Sequence, residues 1–286
     1  MTSDHPWSLT DRGTVRSLLE RHGLSAAKSF GQNFLVDKSA LAAIVAAADI
    51  EGDSVVFEIG PGLGTLTMEL ARRAARVVSV EVDTGMLRVL AETLAGVDNL
   101  TLVRGDALTF DLGSLPNGSL LVANLPYNVA TPLIVKALES RRFARLVVLV
   151  QREGGERLGA SAGDDAYGAL SLIVQRLTRA RRVVRHVPAG AFLPPPKVMS
   201  SIVRLDVDPA ATPDPALIEL IHQAFAHRRK TLKRNLVYAG YPDETVDRAI
   251  AELGLDPRVR AEALPLEVFE RLRLSLEPTS QAPSID

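Results

Sequence analysis

The tetrapeptide Asn124-Leu125-Pro126-Tyr127 follows directly on the short apolar run Ser119–Ala123. Its residue types suit work on a planar exocyclic amine such as that of adenine. Such an amine is a poor nucleophile because its lone pair is delocalised into the ring. It has to be held in line with an electrophile, and its protons need acceptors as positive charge develops. The Asn124 side-chain oxygen and the Leu125 carbonyl offer two acceptors, and Pro126 stiffens the turn so that the carbonyl points outward. Tyr127 adds a π-face for the base, worth ~1–3 kcal/mol. Taken alone the tetrapeptide also reads as a plain turn; its position at the end of a strand favours the chemical reading. A paired base cannot reach such a pocket, so the target nucleotide must be extruded or already unpaired. Phe192, in the proline-rich run Ala191–Val198, is the expected second wall for that base, with a core phenylalanine as the alternative.

The electrophile is indicated by Glu58-Ile59-Gly60-Pro61-Gly62-Leu63-Gly64, a glycine turn at the carboxyl end of the strand candidate Ser54–Ile59. Open α/β sheets bind ligands at that end of the strand. Dinucleotide binders need G-x-G-x-x-G to seat a pyrophosphate on a helix N-terminus. Here the glycines fall at 60, 62 and 64, and Glu58 would repel a pyrophosphate. An acidic, glycine-lined pocket suits a cofactor that carries an ammonium and a sulfonium, such as S-adenosylmethionine. With a methyl group as the electrophile no general base is required, since the product ammonium loses its proton readily. Glu81, at the end of the next strand, can accept both ribose hydroxyls or, taken alone, be a charge at a helix N-terminus, as Asp83 reads; its register with the glycine turn favours the ribose role. Asp106, in Gly105-Asp106-Ala107, is placed to accept a hydrogen bond from the cofactor's adenine amine, or else is a turn aspartate.

Strand-like and helix-like segments alternate around these residues. The strand candidates are Ser54–Ile59, Arg76–Val80, Leu100–Arg104, Ser119–Ala123, Arg145–Val150, Arg181–Val187 and Ser201–Val207. Helical spacing predicts helices at Thr65–Arg73, Thr84–Leu94, Thr131–Ser140 and Gly168–Leu177, after two more at Thr14–His22 and Lys38–Ala48, the latter with Asp37 as its N-cap. The pattern predicts an α/β, Rossmann-like, doubly wound and mostly parallel seven-stranded sheet. The stretch Asp206–Pro215 reads as a linker. Beyond it, Ala216–Ala226, Thr231–Ala239, Glu244–Leu253 and Leu266–Leu274 predict a smaller all-helical C-terminal domain. The expected division is residues 1–207 for a cofactor-dependent methyltransferase domain and 208–286 for a helical RNA-binding domain that ends in a frayed tail from Glu277.

With 286 residues, 47% of them hydrophobic, the chain can bury a sizeable core. No apolar run approaches the roughly 20 residues that span a bilayer, and the N-terminus lacks the form of a secretory signal, so a cytoplasmic protein is expected. The sequence has no cysteine, and its five histidines lack ligand spacing, so no metal is expected. The formal net charge of −1 conceals an uneven distribution: from Arg141 to Arg234 there are 17 Lys/Arg against 8 Asp/Glu, a net of +9. One basic face suits a polyanion, although a solvated arginine-rich surface gives the same count. Arg176–Arg185 and His227–Arg234, the latter with Arg228, Arg229, Lys230, Lys233 and Arg234, are the candidate phosphate contacts.

Over residues 23 to 275 the sequence resembles the ribosomal RNA adenine dimethyltransferases, the bacterial kasugamycin-sensitivity enzyme and its relatives. The motifs are Lys28–Leu35, the glycine turn, Glu81, Gly105-Asp106, Asn124–Tyr127, Gln151-Arg152-Glu153, Tyr167-Gly168, Pro194–Val198 and His227–Leu232. The resemblance implies dimethylation of two adjacent adenosines in a hairpin of small-subunit ribosomal RNA. It further implies S-adenosylmethionine as cofactor, a small-subunit precursor as partner, and a chain acting as a monomer. It also implies that Gln32, Asn33 and Leu35 belong to a segment closing over the cofactor, with Asn33 and Leu35 touching it. Met199, Ala169 and Gly154-Gly155 depart from the family pattern. The sister enzyme that methylates large-subunit RNA would share the core motifs, but Pro194–Val198 and His227–Leu232 favour the small-subunit enzyme. A ribosome-assembly factor without activity is disfavoured by the intact Asn124–Tyr127, and a nicotinamide dehydrogenase by the glycine spacing.

Overall fold

The computed structural model describes residues 7–24 and 32–276. The expected tail from Glu277 and the motif residues Lys28-Ser29-Phe30-Gly31 lie outside the described residues. In chain order the elements are α1 (Arg12–Arg21), β1 (Phe34–Leu35), α2 (Lys38–Ala48), β2 (Val55–Ile59), α3 (Thr65–Ala71), β3 (Arg76–Glu81) and α4 (Thr84–Thr93). Then come β4 (Leu100–Arg104), β5 (Ser119–Asn124), α5 (Ala130–Glu139), β6 (Phe143–Gln151), α6 (Arg152–Gly159), α7 (Ala169–Leu177), β7 (Thr178–Val187), β8 (Phe192–Leu193) and β9 (Ser200–Val207). The last four helices are α8 (Pro215–Ala224), α9 (Leu232–Tyr238), α10 (Asp243–Glu252) and α11 (Leu266–Leu276).

Seven strands form one sheet in the order β4-β3-β2-β5-β6-β9-β7. The neighbours from β4 through β6 are parallel, and β9 runs antiparallel to both β6 and β7. Strands β5 and β6 read as nearly unbroken apolar runs, as expected where helices cover both faces of a parallel sheet. The chain winds outward from β2 to β3 and β4, then returns to the other side of β2 as β5. This reversal opens a crevice at the carboxyl ends of β2 and β5, which bear the glycine turn and Asn124. Helix starts follow side-chain chemistry: Asp37 accepts from the Ala40 amide at 2.6 Å and Asp83 from the Gly85 amide at 2.6 Å, each capping its helix. Among the described residues no helix is long and apolar enough to cross a membrane.

Two features differ from the sequence reading. The two-residue ladder β1–β8, pairing Leu35 with Phe192, joins segments more than 150 positions apart and has no local signature. Helix α6 begins at Arg152 and presses Gly155 against β9, where an added Cβ would stand 2.7 Å from the Ser201 Cβ. That contact gives a physical reason for a glycine at position 155.

The chain divides into two compact units, one of Met1–Gly159 with Leu177–Ala211 and the other of Ala160–Arg176 with Thr212–Asp286. The second unit therefore takes in a segment that the boundary at 207 would have left with the sheet. Its core gathers Leu217, Ile221, Leu236, Ile250, Phe269 and Leu272 with Tyr167 and Leu172. The Tyr167 hydroxyl donates to the Leu264 carbonyl at 3.0 Å, and buried Asn235 donates to the Ala224 carbonyl at 2.6 Å. These bonds satisfy polar groups that would otherwise be buried at a cost of about 1–3 kcal/mol each.

Candidate active site

A cavity of about 300 Å³ opens at the crevice between β2 and β5, within the size range of small-molecule sites. The glycine turn lines it on one side and Asn124–Tyr127 on the other. The two turns approach each other: a Cβ placed on Gly60 would lie 3.9 Å from the Pro126 ring. Gly60, Gly62 and Gly64 all have positive φ, at 67°, 59° and 89°. At Gly62 the positive φ favours glycine, and a side chain would also crowd the Phe34 ring at 3.3 Å.

Each carboxylate expected at the site lines this cavity. Glu58 is fully enclosed and accepts hydroxyl hydrogen bonds from Thr67 at 2.7 Å and Ser79 at 2.6 Å, both on Oε2. Burial pushes its pKa up to about 7 in spite of those two donors. Glu81 is buried at the end of β3 and accepts from the Asp83 amide at 2.8 Å; burial raises its pKa, and the amide opposes that. Asp106 is exposed after β4 and accepts from the Leu108 amide at 2.8 Å through Oδ1, which fixes the direction of its carboxylate.

The Asn124 amide nitrogen donates to the Asn33 carbonyl at 3.1 Å. That bond commits the nitrogen and leaves the side-chain oxygen as an acceptor. The Tyr127 hydroxyl lies 2.6 Å from the Ser200 Oγ at the start of β9, and burial raises the pKa of the phenol. Gln32 donates to Asp83 at 3.3 Å, and Gln32, Asn33 and Leu35 line the same cavity. Leu35 is held there by the β1–β8 ladder.

Phe192 corrects the sequence reading. Its ring is 0% exposed, packs in the core with Leu35, Ile44 and Ile202, and does not line the cavity. The ladder to Leu35 turns this residue inward, so the core alternative holds and the ring offers no face to a base. Among the predicted RNA contacts, Arg228, Arg229, Lys230 and Arg234 are exposed. Lys233 instead pairs with Asp247 at 2.7 Å and Asp243 at 3.1 Å, and Arg228 faces Glu262 at 3.8 Å.

Three contributors escaped the sequence reading. Val82 and Leu108 are 52% and 37% exposed, and both line the cavity. An aliphatic residue directly after a strand-end carboxylate is the signal that would have marked Val82. Lys136 on α5 donates to the carbonyls of Ala107, Leu108 and Phe110 at 3.1, 2.7 and 2.7 Å. All three ammonium protons are thus spent on the loop that carries Asp106. A lone basic residue in the apolar helix Ala130–Glu139 was its only trace in the sequence.

The donor set fits an adenosyl amino-acid cofactor. A buried carboxylate, a glycine-lined hollow, an outer carboxylate and two exposed aliphatic side chains lie around one cavity.

The family model described as ribosomal RNA adenine dimethylase matches residues 23–276. A protein of Deinococcus radiodurans named ribosomal RNA small subunit methyltransferase A is 47% identical over 92% of this chain and 89% of its own length. The protein of the same name from Geobacillus thermodenitrificans is 41% identical over 93% and 96%. Among solved structures, a dimethyladenosine transferase from Plasmodium falciparum has a TM-score of 0.71 at 29% identity, covering 83% of this chain and 95% of that one. The 23S rRNA methyltransferase ErmE has a TM-score of 0.66 at 28% identity, covering 86% and 100%. By the extent of the family match and the identity to these relatives, the chain belongs to the ribosomal RNA adenine dimethylases.

Proposed function

We propose that this chain dimethylates the exocyclic amines of two adjacent adenosines in a hairpin of small-subunit ribosomal RNA, as a cytoplasmic monomer acting on a precursor of that subunit. The observation that supports the site assignment is that the glycine turn and Asn124–Tyr127 line one cavity. Family membership and relatives named for the small-subunit methyltransferase support the substrate.

S-adenosylmethionine, when bound, supplies an electrophilic methyl group on a sulfonium. Glu81 would hold its ribose hydroxyls, Asp106 its adenine amine, and Val82 with Leu108 the faces of that ring. The backbone of Gly60–Gly64 would lie along the amino-acid end, above Glu58. The Asn124 oxygen, aimed by the bond from its amide nitrogen to Asn33, accepts a hydrogen bond from the target amine, and the Leu125 carbonyl accepts one from its other N–H when that is present. Two acceptors stabilise the charge that develops on nitrogen and orient its lone pair. The Tyr127 ring, pinned through its hydroxyl to Ser200, offers the stacking face.

Purified protein, labelled S-adenosylmethionine and small subunits lacking the modification should yield dimethyladenosine, located by mass spectrometry at two neighbouring positions. The likeness to ErmE supplies the rival reading, a large-subunit enzyme, and label confined to large-subunit RNA would establish it.

A further inference from the structure

The helical unit carries an aromatic side chain outside its core. Tyr238, the last residue of α9, is 57% exposed. The His227 ring meets it edge-on at 5.7 Å and 89°. The Arg234 guanidinium lies 5.8 Å from its centroid, and Arg234 Nε donates to the phenol oxygen at 3.3 Å. The hydrogen bond from Arg234, then the charges of Arg234 and Lys230, lower the phenol's pKa.

The surrounding charges are sorted by their partners. Lys233 is neutralised by Asp243 and Asp247, and Arg228 faces Glu262. Among the described residues, Arg229, Lys230 and Arg234 have no carboxylate partner. A solvated helix face would need an Arg–Tyr pair at most. It gives no reason for a second ring set edge-on against the tyrosine, beside three cations left unneutralised.

We propose that Tyr238 is a stacking platform for an unpaired RNA nucleotide, with His227 bracing its ring and Arg229, Lys230 and Arg234 contacting the flanking phosphates. A half-exposed phenol is amphipathic and sequence-tolerant as a stacking face, because every base has a π-surface. Paired RNA keeps its base faces covered, so the platform selects loops and bulges over duplex. This surface lies wholly on the second unit, and the inference rests on the reading of the chain as an RNA methyltransferase.

The test is fluorescence anisotropy with two labelled RNAs, a hairpin with a single-stranded loop and a fully paired duplex of equal length. Loss of one stacked base should cost Tyr238→Ala roughly 5- to 150-fold in hairpin affinity. The same variant should keep its duplex affinity and the salt slope of wild type, since no charge is removed. Tyr238→Phe, which retains the ring, should bind the hairpin as wild type does. Arg229→Ala should weaken both RNAs and reduce the salt slope by about 0.7–0.9. Hairpin affinity unchanged in Tyr238→Ala, or lost equally for hairpin and duplex, would overturn the platform. Methyl transfer is read separately: wild-type protein that binds the hairpin but never methylates ribosomal RNA would count against the enzymatic reading alone.

Discussion

The Tyr127 hydroxyl and the Ser200 Oγ, 2.6 Å apart, tie the turn after β5 to the first residue of β9. Ser200 is fully buried, so its side chain is committed to this bond inside the sheet's antiparallel half. The proposed stacking ring is therefore positioned from across the fold, by a strand that has no part in the chemistry itself.

Ser200→Ala should leave the phenol oxygen without its partner at a cost of about 1–3 kcal/mol and let the ring rotate. Single-turnover methyl transfer should slow by about tenfold, the equivalent of 1.4 kcal/mol. Cofactor affinity, measured by calorimetry, should not change. Adding Tyr127→Phe should cost little more than either change alone, because the two residues act through one bond.

Asn124→Ala removes the proposed acceptor for the target amine and should reduce transfer by at least about 100-fold, the scale of a lost oxyanion-type donor or acceptor. Binding of S-adenosylhomocysteine should survive in that variant. Glu81→Ala should do the reverse, weakening the cofactor first. If Asn124→Ala lost cofactor affinity and Glu81→Ala did not, the two assignments would have to be exchanged.

Glu58 predicts a pH dependence of stability. Burial raises its pKa from 4.5 to about 7, so the folded chain holds this proton more tightly than the unfolded one. The stability that comes from the protonated carboxyl is fully present below pH 4.5 and is lost as pH rises to about 7. Wild type should therefore lose up to about 3 kcal/mol relative to Glu58→Gln across that window. Urea unfolding of the two proteins at matched pH values measures the difference, and a constant gap would contradict the burial argument.

Lys136→Met replaces the ammonium that holds three carbonyls of the Asp106 loop with an isosteric apolar chain. Cofactor affinity should fall by about tenfold through misplacement of that loop, while the affinity for RNA stays constant. Lys136→Arg, which keeps donors at a different geometry, should fall between. An unchanged dissociation constant in the methionine variant would show that the loop keeps its position unaided.

Much of this was legible in the residues themselves. Strand and helix periodicities, the glycine turn, the strand-end carboxylates and Asn124–Tyr127 are local patterns, and all seven strand candidates pair in one sheet. Cavity-lining positions at strand ends follow from α/β topology once the strand order is known, so Glu58, Glu81, Asp106 and Asn124 could be named in advance.

What the residues alone determined was the chemistry on offer: acceptors for an amine, a ring for a base, a glycine-lined hollow for a cofactor. Tertiary structure decided which side chains are available to perform it. Phe192 is sequestered because β8 pairs with β1, Tyr127 is fixed because β9 brings Ser200 beneath it, and Lys136 reaches a loop about 28 positions earlier. Residues 160–176 likewise join the C-terminal helices because Tyr167 and Leu172 find their apolar partners there. Periodicity and motif are properties of neighbouring residues. Burial and long-range hydrogen bonding depend on which distant segments meet, and only the folded chain brings those together.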